Sequence, residues 1–156
     1  MIYRIAALFL VFWLVFSAAA TSEEKNISIT GAVVALQRSK TESGTMELPS
    51  FADLAEIYMV RVDHWSQPRK EKYIIVEYIH HTGFISHEQF DKTLWRFDVH
   101  QASPEQSKDC FSWMARGPSF LPTAFGAKGE LPNPKELPCF LTTKRPIPVS
   151  PTLTTH

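Results

Sequence analysis

The sequence has few cysteines and no excess of charge, and both features exclude classes of protein. It has 156 residues with 16 Lys and Arg, 16 Asp and Glu, and only two Cys. Two cysteines cannot form a four-thiolate zinc site. A net charge of zero argues against a protein that binds nucleic acid mainly through a positively charged surface.

Sequence motifs that organise common reactions are also missing. The chain has no G-x-S-x-G serine elbow, no P-loop and no G-x-G-x-x-G dinucleotide-binding motif. It has no C-x-x-C motif either, and no internal repeat is evident. These absences favour a protein that is not an enzyme, although they leave the question open.

The composition is that of one globular domain. Hydrophobic residues make up 44% of the chain and aromatic residues 12%, which excludes a wholly disordered protein. Single domains span about 50–250 residues, so a second independent core is not expected.

The N-terminal 20 residues have the features of an export signal. Arg4 supplies one positive charge, residues 5–16 form an unbroken apolar run, and Ala18 and Ala20 fit a small-residue cleavage pattern. We therefore expect a signal peptide over residues 1–20 and a secreted or periplasmic protein. The alternative is an uncleaved membrane anchor, but the apolar stretch is shorter than the roughly 20 residues that span a bilayer.

Cys110 and Cys139 fit an exported protein. Two cysteines in such a chain are more often paired in a disulfide than free. We therefore predict one disulfide, which in the chain-entropy model contributes about 3–4 kcal/mol.

Alternating apolar residues predict a mainly β domain. Ser86, followed three residues later by Gln89, predicts a short helix over residues 86–90. The predicted strands are residues 27–37, 56–65, 72–81 and 93–101, with residues 139–144 as a possible fifth.

This element order resembles that of a small five-stranded Greek-key barrel of the OB type. Gly31, in the middle of the first strand, lies where such a barrel has to bend. The resemblance implies an OB-like barrel with one short helix and brings no specific family with it. The alternative fold is an antiparallel α+β sheet.

The C-terminal third differs in composition. Residues 104–151 contain nine of the 11 prolines, so neither a regular helix nor a central strand is expected there. The same segment is rich in aromatic residues, which a free linker would not be. We predict a proline-rich wrap over the barrel that belongs to a single domain of residues 21–145. Residues 146–156 are predicted to be a flexible tail.

Four residues are candidates for ligand binding. Arg61 and Arg96 each precede an aspartate by two residues on a predicted strand, and with His100 they suggest a charged stripe across a sheet. Trp65, next to a basic turn, suits stacking on sugars or bases. A solvated outer face with core aromatics is the simpler interpretation.

Four other residues are candidates for a metal site. His80, His81, His87 and Glu88 offer the imidazole and carboxylate ligands that zinc and copper use. Neighbouring residues on a strand point to opposite faces, so a site would use only one of His80 and His81. No spacing here matches a known zinc motif, so we expect no cofactor, with zinc or copper as the alternative.

These observations predict an exported, non-catalytic binding or accessory domain. Its expected partner is a protein or an envelope glycan, because export disfavours nucleic acid. It would contact a membrane only through an uncleaved segment of residues 1–20. The alternative is an exported metal-binding protein that uses the region of His80, His81 and His87.

Overall fold

A computed structural model describes residues 26–38, 54–80, 85–116 and 119–149. The predicted signal peptide lies outside these residues. The helices are α1 (His87–Phe90) and α2 (Pro104–Arg116), with a 3-10 turn at Pro134–Glu136. The strands are β1 (Ile27–Arg38), β2 (Leu54–Trp65), β3 (Tyr73–His80), β4 (Leu94–Gln101), β5 (Leu121–Pro122), β6 (Cys139–Thr142) and β7 (Ile147–Val149).

Five of the strands close into a mixed barrel. Around the barrel the order is β1, β2, β3, β6, β4 and back to β1. Every neighbouring pair is antiparallel except β3 and β6, which are parallel. The prediction of a β-barrel is therefore confirmed, and the open antiparallel α+β sheet is wrong.

The first strand bends at Gly31. The register between β1 and β2 shifts between Thr30 and Gly31, and β1 also pairs with β4 over this stretch. A Cβ atom at Gly31 would lie only 2.2 Å from the carbonyl oxygen of Arg61. Glycine is therefore required for the close approach of β1 to β2, and the register shift lies at the glycine where the sequence predicted a bend.

Alternate side chains of the barrel strands fill the interior. The ring of Tyr58 lies 5.2 Å from that of Phe90 and 5.9 Å from that of Phe97. Phe90 belongs to α1, whose start is capped because the side-chain oxygen of Gln89 accepts a hydrogen bond from the backbone N–H of Ser86 at 3.2 Å. The barrel strands contribute these interior residues: Ile27, Ile29, Val33, Leu36, Tyr58, Val60, Ile74, Val76, Tyr78, Trp95, Phe97, Val99 and Phe140.

The helix α2 corrects the expectation that no regular helix forms after residue 104. Pro104 is its first residue. Proline is tolerated at this position because the N–H of the first helical residue has no acceptor within the helix. Ser103 and Gln106 form a capping box. The backbone N–H of Ser103 donates to the side-chain oxygen of Gln106 at 2.9 Å, and the backbone N–H of Gln106 donates to the hydroxyl of Ser103 at 3.2 Å.

Among the described residues, no helix combines the length and apolar character needed to cross a bilayer.

Residues 102–116 and 119–137, which we call the cover, pack on the outside of the barrel. The outward-facing Ile57, Met59 and Ile75 are buried beneath it. The predicted disulfide is present and joins Cys110 of α2 to Cys139 of β6. The outer face of β2 and β3 is therefore part of a second hydrophobic core.

The later part of the cover is hydrogen-bonded to β1. Thr123 donates from its hydroxyl to the carbonyl of Val33 at 2.6 Å and from its backbone N–H to that of Val34 at 2.9 Å. A Cβ at Gly126 would lie 2.0 Å from the same Val34 oxygen. The chain therefore approaches β1 closely enough to require a glycine.

The strand β7 includes residues that were expected in the flexible tail of residues 146–156. It pairs antiparallel with β4, and the Thr93 hydroxyl donates to the Val149 carbonyl at 3.0 Å. Pro148 is tolerated because β7 lies at the end of the sheet, where one side of the strand needs no donor. Residues 150–156 lie outside the described residues.

Candidate functional site

An open groove lies at the turn between β2 and β3, at one end of the barrel. Its volume is about 460 Å³, within the range of about 300–1,000 Å³ found for small-molecule pockets. Such pockets enclose their ligands, whereas this groove is open to solvent. Its lining residues are Asp63, His64, Trp65, Ser66, Gln67, Pro68 and Arg69.

Trp65 anchors the groove to the barrel core. Its ring lies 5.6 Å from the ring of Phe140. The Arg69 guanidinium lies 5.4 Å from the Trp65 ring and 5.2 Å from the Phe140 ring, at cation–π distance from both. The indole N–H donates to the Glu71 carbonyl at 3.0 Å. These contacts hold the shape of the groove, and a direct contact between Trp65 and a ligand stays a prediction.

Hydrogen bonds tie the groove to β1 and β4, and an ion pair links two residues of the turn itself. Arg69 pairs with Glu71 at 3.3 Å and donates to the side chain of Gln101 on β4 at 2.8 Å. The backbone N–H of Ser66 donates to the Ser28 carbonyl at 2.9 Å, and the Ser28 N–H donates to the Ser66 hydroxyl at 3.0 Å. The turn is therefore held in place by contacts within the chain.

A polar row crosses three strands beside the groove. Thr30 of β1 pairs with His64 of β2 on one side and with Arg96 of β4 on the other. Since neighbouring strands lie about 4.8 Å apart, the His64 and Arg96 backbones are about 10 Å apart. Both side chains are exposed, and neither forms an ion pair or a side-chain hydrogen bond within the described part of the chain.

The other predicted ligand-binding residues lie outside the polar row. Arg61 pairs with Asp63 at 3.6 Å and is about one-third exposed. His100 is half-buried on β4 and pairs with Leu141 of β6. Of the four predicted residues, Trp65 therefore lines the groove and Arg96 lies beside it.

The predicted metal ligands are partly described. The imidazole Nδ1 of His87 lies 3.3 Å from a carboxylate oxygen of Asp91, whose other oxygen accepts the N–H of Ala124 at 2.6 Å. This contact ties α1 to the cover, and Glu88 is exposed. The His80 side chain and His81 lie outside the described residues, so a zinc or copper site there stays a prediction.

A different group of metal-type ligands lies beneath the cover. The carboxylate of Glu77 and the sulfurs of Cys110 and Cys139 lie within 4.8 Å of one another, and all three residues are buried. Burial, with a smaller contribution from the negative charge of Asp109, raises the pKa of Glu77. Sequence reasoning missed this group because its members come from β3, α2 and β6. The signal was a glutamate among the apolar residues of a central strand.

A partly buried ion pair lies at the ends of β1 and β2 farther from the groove. Glu56 is fully buried, and the Arg38 Nε lies 2.7 Å from its carboxylate. The Tyr58 hydroxyl donates to the same carboxylate, and Arg38 also donates to the Ile85 carbonyl. Burial, followed by the Glu56 charge, raises the pKa of Tyr58 far above its usual value. This network joins β1, β2 and the start of α1, which is a structural role.

The groove and the polar row form one continuous surface, because His64 belongs to both. We call residues 63–69 together with Thr30 and Arg96 the turn surface. It offers exposed basic side chains, hydroxyl groups and an amide. Comparisons with protein-family models, curated proteins and solved structures found no match. The functional argument therefore depends on this surface.

Proposed function

We propose that this protein is an exported, non-catalytic binding domain that docks a protein partner on the turn surface. The observation that carries the proposal is a pre-organised open groove continuous with Arg96 and His64, which are exposed and have no ion-pair partner among the residues that the structure describes. Preorganisation favours binding because little conformational entropy is lost on association.

The barrel is proposed to be of the OB type. The strand order, the parallel pairing of β3 with β6 and the helix between β3 and β4 support this assignment. Barrels of this type bind ligands on the outer face of strands 2 and 3 and on adjoining loops. Here the part of that face formed by Ile57, Met59 and Ile75 is buried by the cover. The turn surface lies outside the cover, so it is our choice for the contact site.

Export is proposed from the N-terminal segment and from the disulfide. Residues 1–20 have the charge, apolar run and small-residue end of a signal peptide. A disulfide between Cys110 and Cys139 suits the oxidising environment of the periplasm or the extracellular space. Both features support a secreted or periplasmic location.

Two features favour a protein over an envelope glycan as the partner. Arg69 lies over the Trp65 ring, so the aromatic face that would stack on a sugar is already in contact with a guanidinium. Arginine is enriched at protein interfaces, and an exposed arginine without an ion-pair partner complements a negative charge on another surface. We therefore expect an acidic patch on the partner.

The proposal is tested by reversing the charge of the polar row. Arg96→Glu should weaken partner binding at least ten-fold, about 1.4 kcal/mol, because it places like charges opposite each other. Lys135→Glu is the matched control, since Lys135 is an exposed cation on the cover. Binding is measured by titrating the partner isolated from envelope extracts against each variant.

Two results would contradict this proposal. Equal affinity of the Arg96→Glu and Lys135→Glu variants would exclude the turn surface as the contact site. Binding that survives protease digestion of the extract but is lost after glycan removal would replace the protein partner with an envelope glycan.

A further inference from the structure

Three segments bring Glu77, Cys110 and Cys139 together beneath the cover. The parallel pairing of β3 with β6 places Ile75 opposite Cys139, so Glu77 lies two residues along β3 from that pair. The helix α2, which packs on the outside of the barrel, contributes Cys110. The two sulfurs and a carboxylate oxygen all lie within 4.8 Å of one another.

Glu77 is a buried residue whose carboxyl group has no hydrogen-bonding partner among the described residues. Its exposed fraction is 5%, and among the described residues it forms no ion pair and no side-chain hydrogen bond. A buried carboxylate without a partner is strongly unfavourable. The disulfide beside it has no N–H or O–H to donate, and the neighbouring Asp109 adds a second negative charge. A cation bound here would stabilise the ionised carboxylate, which burial and the charge of Asp109 otherwise disfavour.

We propose that the chain binds one zinc ion through Cys110, Cys139 and Glu77 when the disulfide is reduced. A dithiol reductant supplies two electrons and two protons, which break the S–S bond and give two thiols, and the reductant becomes a disulfide. Zinc then displaces one proton from each thiol and is bound by two thiolates and the carboxylate. The sulfurs of Cys110 and Cys139 can form either the disulfide or the metal site, so the two states exclude each other.

The donor set fits zinc. Zinc bonds are about 2.3 Å to sulfur and 2.0–2.2 Å to a carboxylate oxygen, so tetrahedral donors lie about 3.4–3.8 Å apart. Cleavage of the S–S bond lets the sulfurs separate toward this spacing. Three protein ligands leave a fourth position for water. In this state the metal would replace the disulfide as the link between α2 and β6, so the cover stays attached in both states.

The test compares the oxidised and reduced full chain with Co²⁺ as a spectroscopic probe. The oxidised protein should bind no Co²⁺. The reduced protein should bind one equivalent with a thiolate-to-cobalt charge-transfer absorption, and one equivalent of Zn²⁺ should displace it. Glu77→Gln keeps the side-chain shape and should weaken Co²⁺ binding at least ten-fold. Glu130→Gln, an exposed position on the cover, is the control and should bind like the wild type.

Circular dichroism makes the test independent of the stability of the reduced chain. If reduction unfolds the protein, Zn²⁺ should refold the wild type at a lower concentration than it refolds Glu77→Gln. A reduced wild type that Zn²⁺ neither binds stoichiometrically nor refolds would overturn the proposal. Equal metal affinity of the wild type and Glu77→Gln, or of the wild type and a Cys110→Ser/Cys139→Ser double variant, would also overturn it.

Discussion

At the scale of single residues, Gly31 determines how closely β1 approaches β2. The atom that a side chain would meet is the backbone oxygen of Arg61, which cannot rotate away as a side chain can. A substitution at Gly31 therefore has to move a strand of the barrel.

Gly31→Ala should lower the free energy of unfolding by about 1–3 kcal/mol, because the added methyl group overpacks the β1–β2 contact. Gly129→Ala is the control, since a Cβ there has no atom within 4 Å. It should change the stability by less than about 0.5 kcal/mol. Urea denaturation monitored by tryptophan fluorescence gives both values, and similar losses at the two positions would contradict this account of Gly31.

The buried hydroxyl of Tyr58 has a different role, because it donates to the buried carboxylate of Glu56. Its raised pKa means that the unfolded chain releases the Tyr58 proton at lower pH than the folded protein does. The contribution to stability is therefore complete below about pH 10, the usual tyrosine pKa, and declines as the pH rises above it.

Tyr58→Phe should cost about 1–3 kcal/mol at neutral pH, because it removes a hydrogen bond to a buried charged group. The stability difference between wild type and variant should shrink above about pH 10, where ionisation destabilises only the wild type through this residue. Urea denaturation from pH 7 to pH 11 measures the difference. A constant difference across that range would show that Tyr58 does not titrate as described.

Residue patterns predicted the site only in part. The sequences Arg61-Val62-Asp63 and Arg96-Phe97-Asp98 look equivalent, yet Arg61 pairs with its aspartate, whereas Asp98 pairs with Lys144 at 3.4 Å. That difference comes from the turn after β6, which brings Lys144 to β4. Spacing along one strand cannot show which charge a neighbouring strand supplies.

At the scale of the elements, local signals predicted the five barrel strands and α1. Alternating apolar residues and the pairing of Ser86 with Gln89 are both short-range patterns. The same capping pattern, Ser103 with Gln106, marks the start of α2 but was overlooked among the prolines. Strand β7 was missed because two prolines flank Ile147, and its pairing depends on β4, about 50 residues earlier.

Strand β7 should contribute to stability. A chain that ends at residue 146 should be less stable than a chain that ends at residue 149 by about 1–3 kcal/mol, because it lacks the backbone bonds to β4 and the Thr93 bond to Val149. The comparison isolates Ile147–Val149, since both chains lack residues 150–156. Thermal and urea denaturation measure the difference, and equal stability would mean that the β4–β7 pairing makes no net contribution.

At the scale of the whole molecule, the cover determines which surfaces are available. It buries the outer face of β2 and β3 through Ile57, Met59 and Ile75 and is linked to β6 by the disulfide. The turn surface lies outside the cover and presents its groove beside Arg96. The arrangement separates the part of the molecule that holds the fold together from the part that we propose to contact a partner.

The most direct test of this arrangement is site-specific photocrosslinking in intact cells. A photoreactive residue at Gln67, in the groove, should crosslink the protein to a partner, whereas one at Lys128, exposed on the cover, should not. Adding Arg96→Glu to the Gln67 probe should reduce the crosslink. Crosslinks from Lys128 but not from Gln67 would contradict the central claim and place the binding surface on the cover.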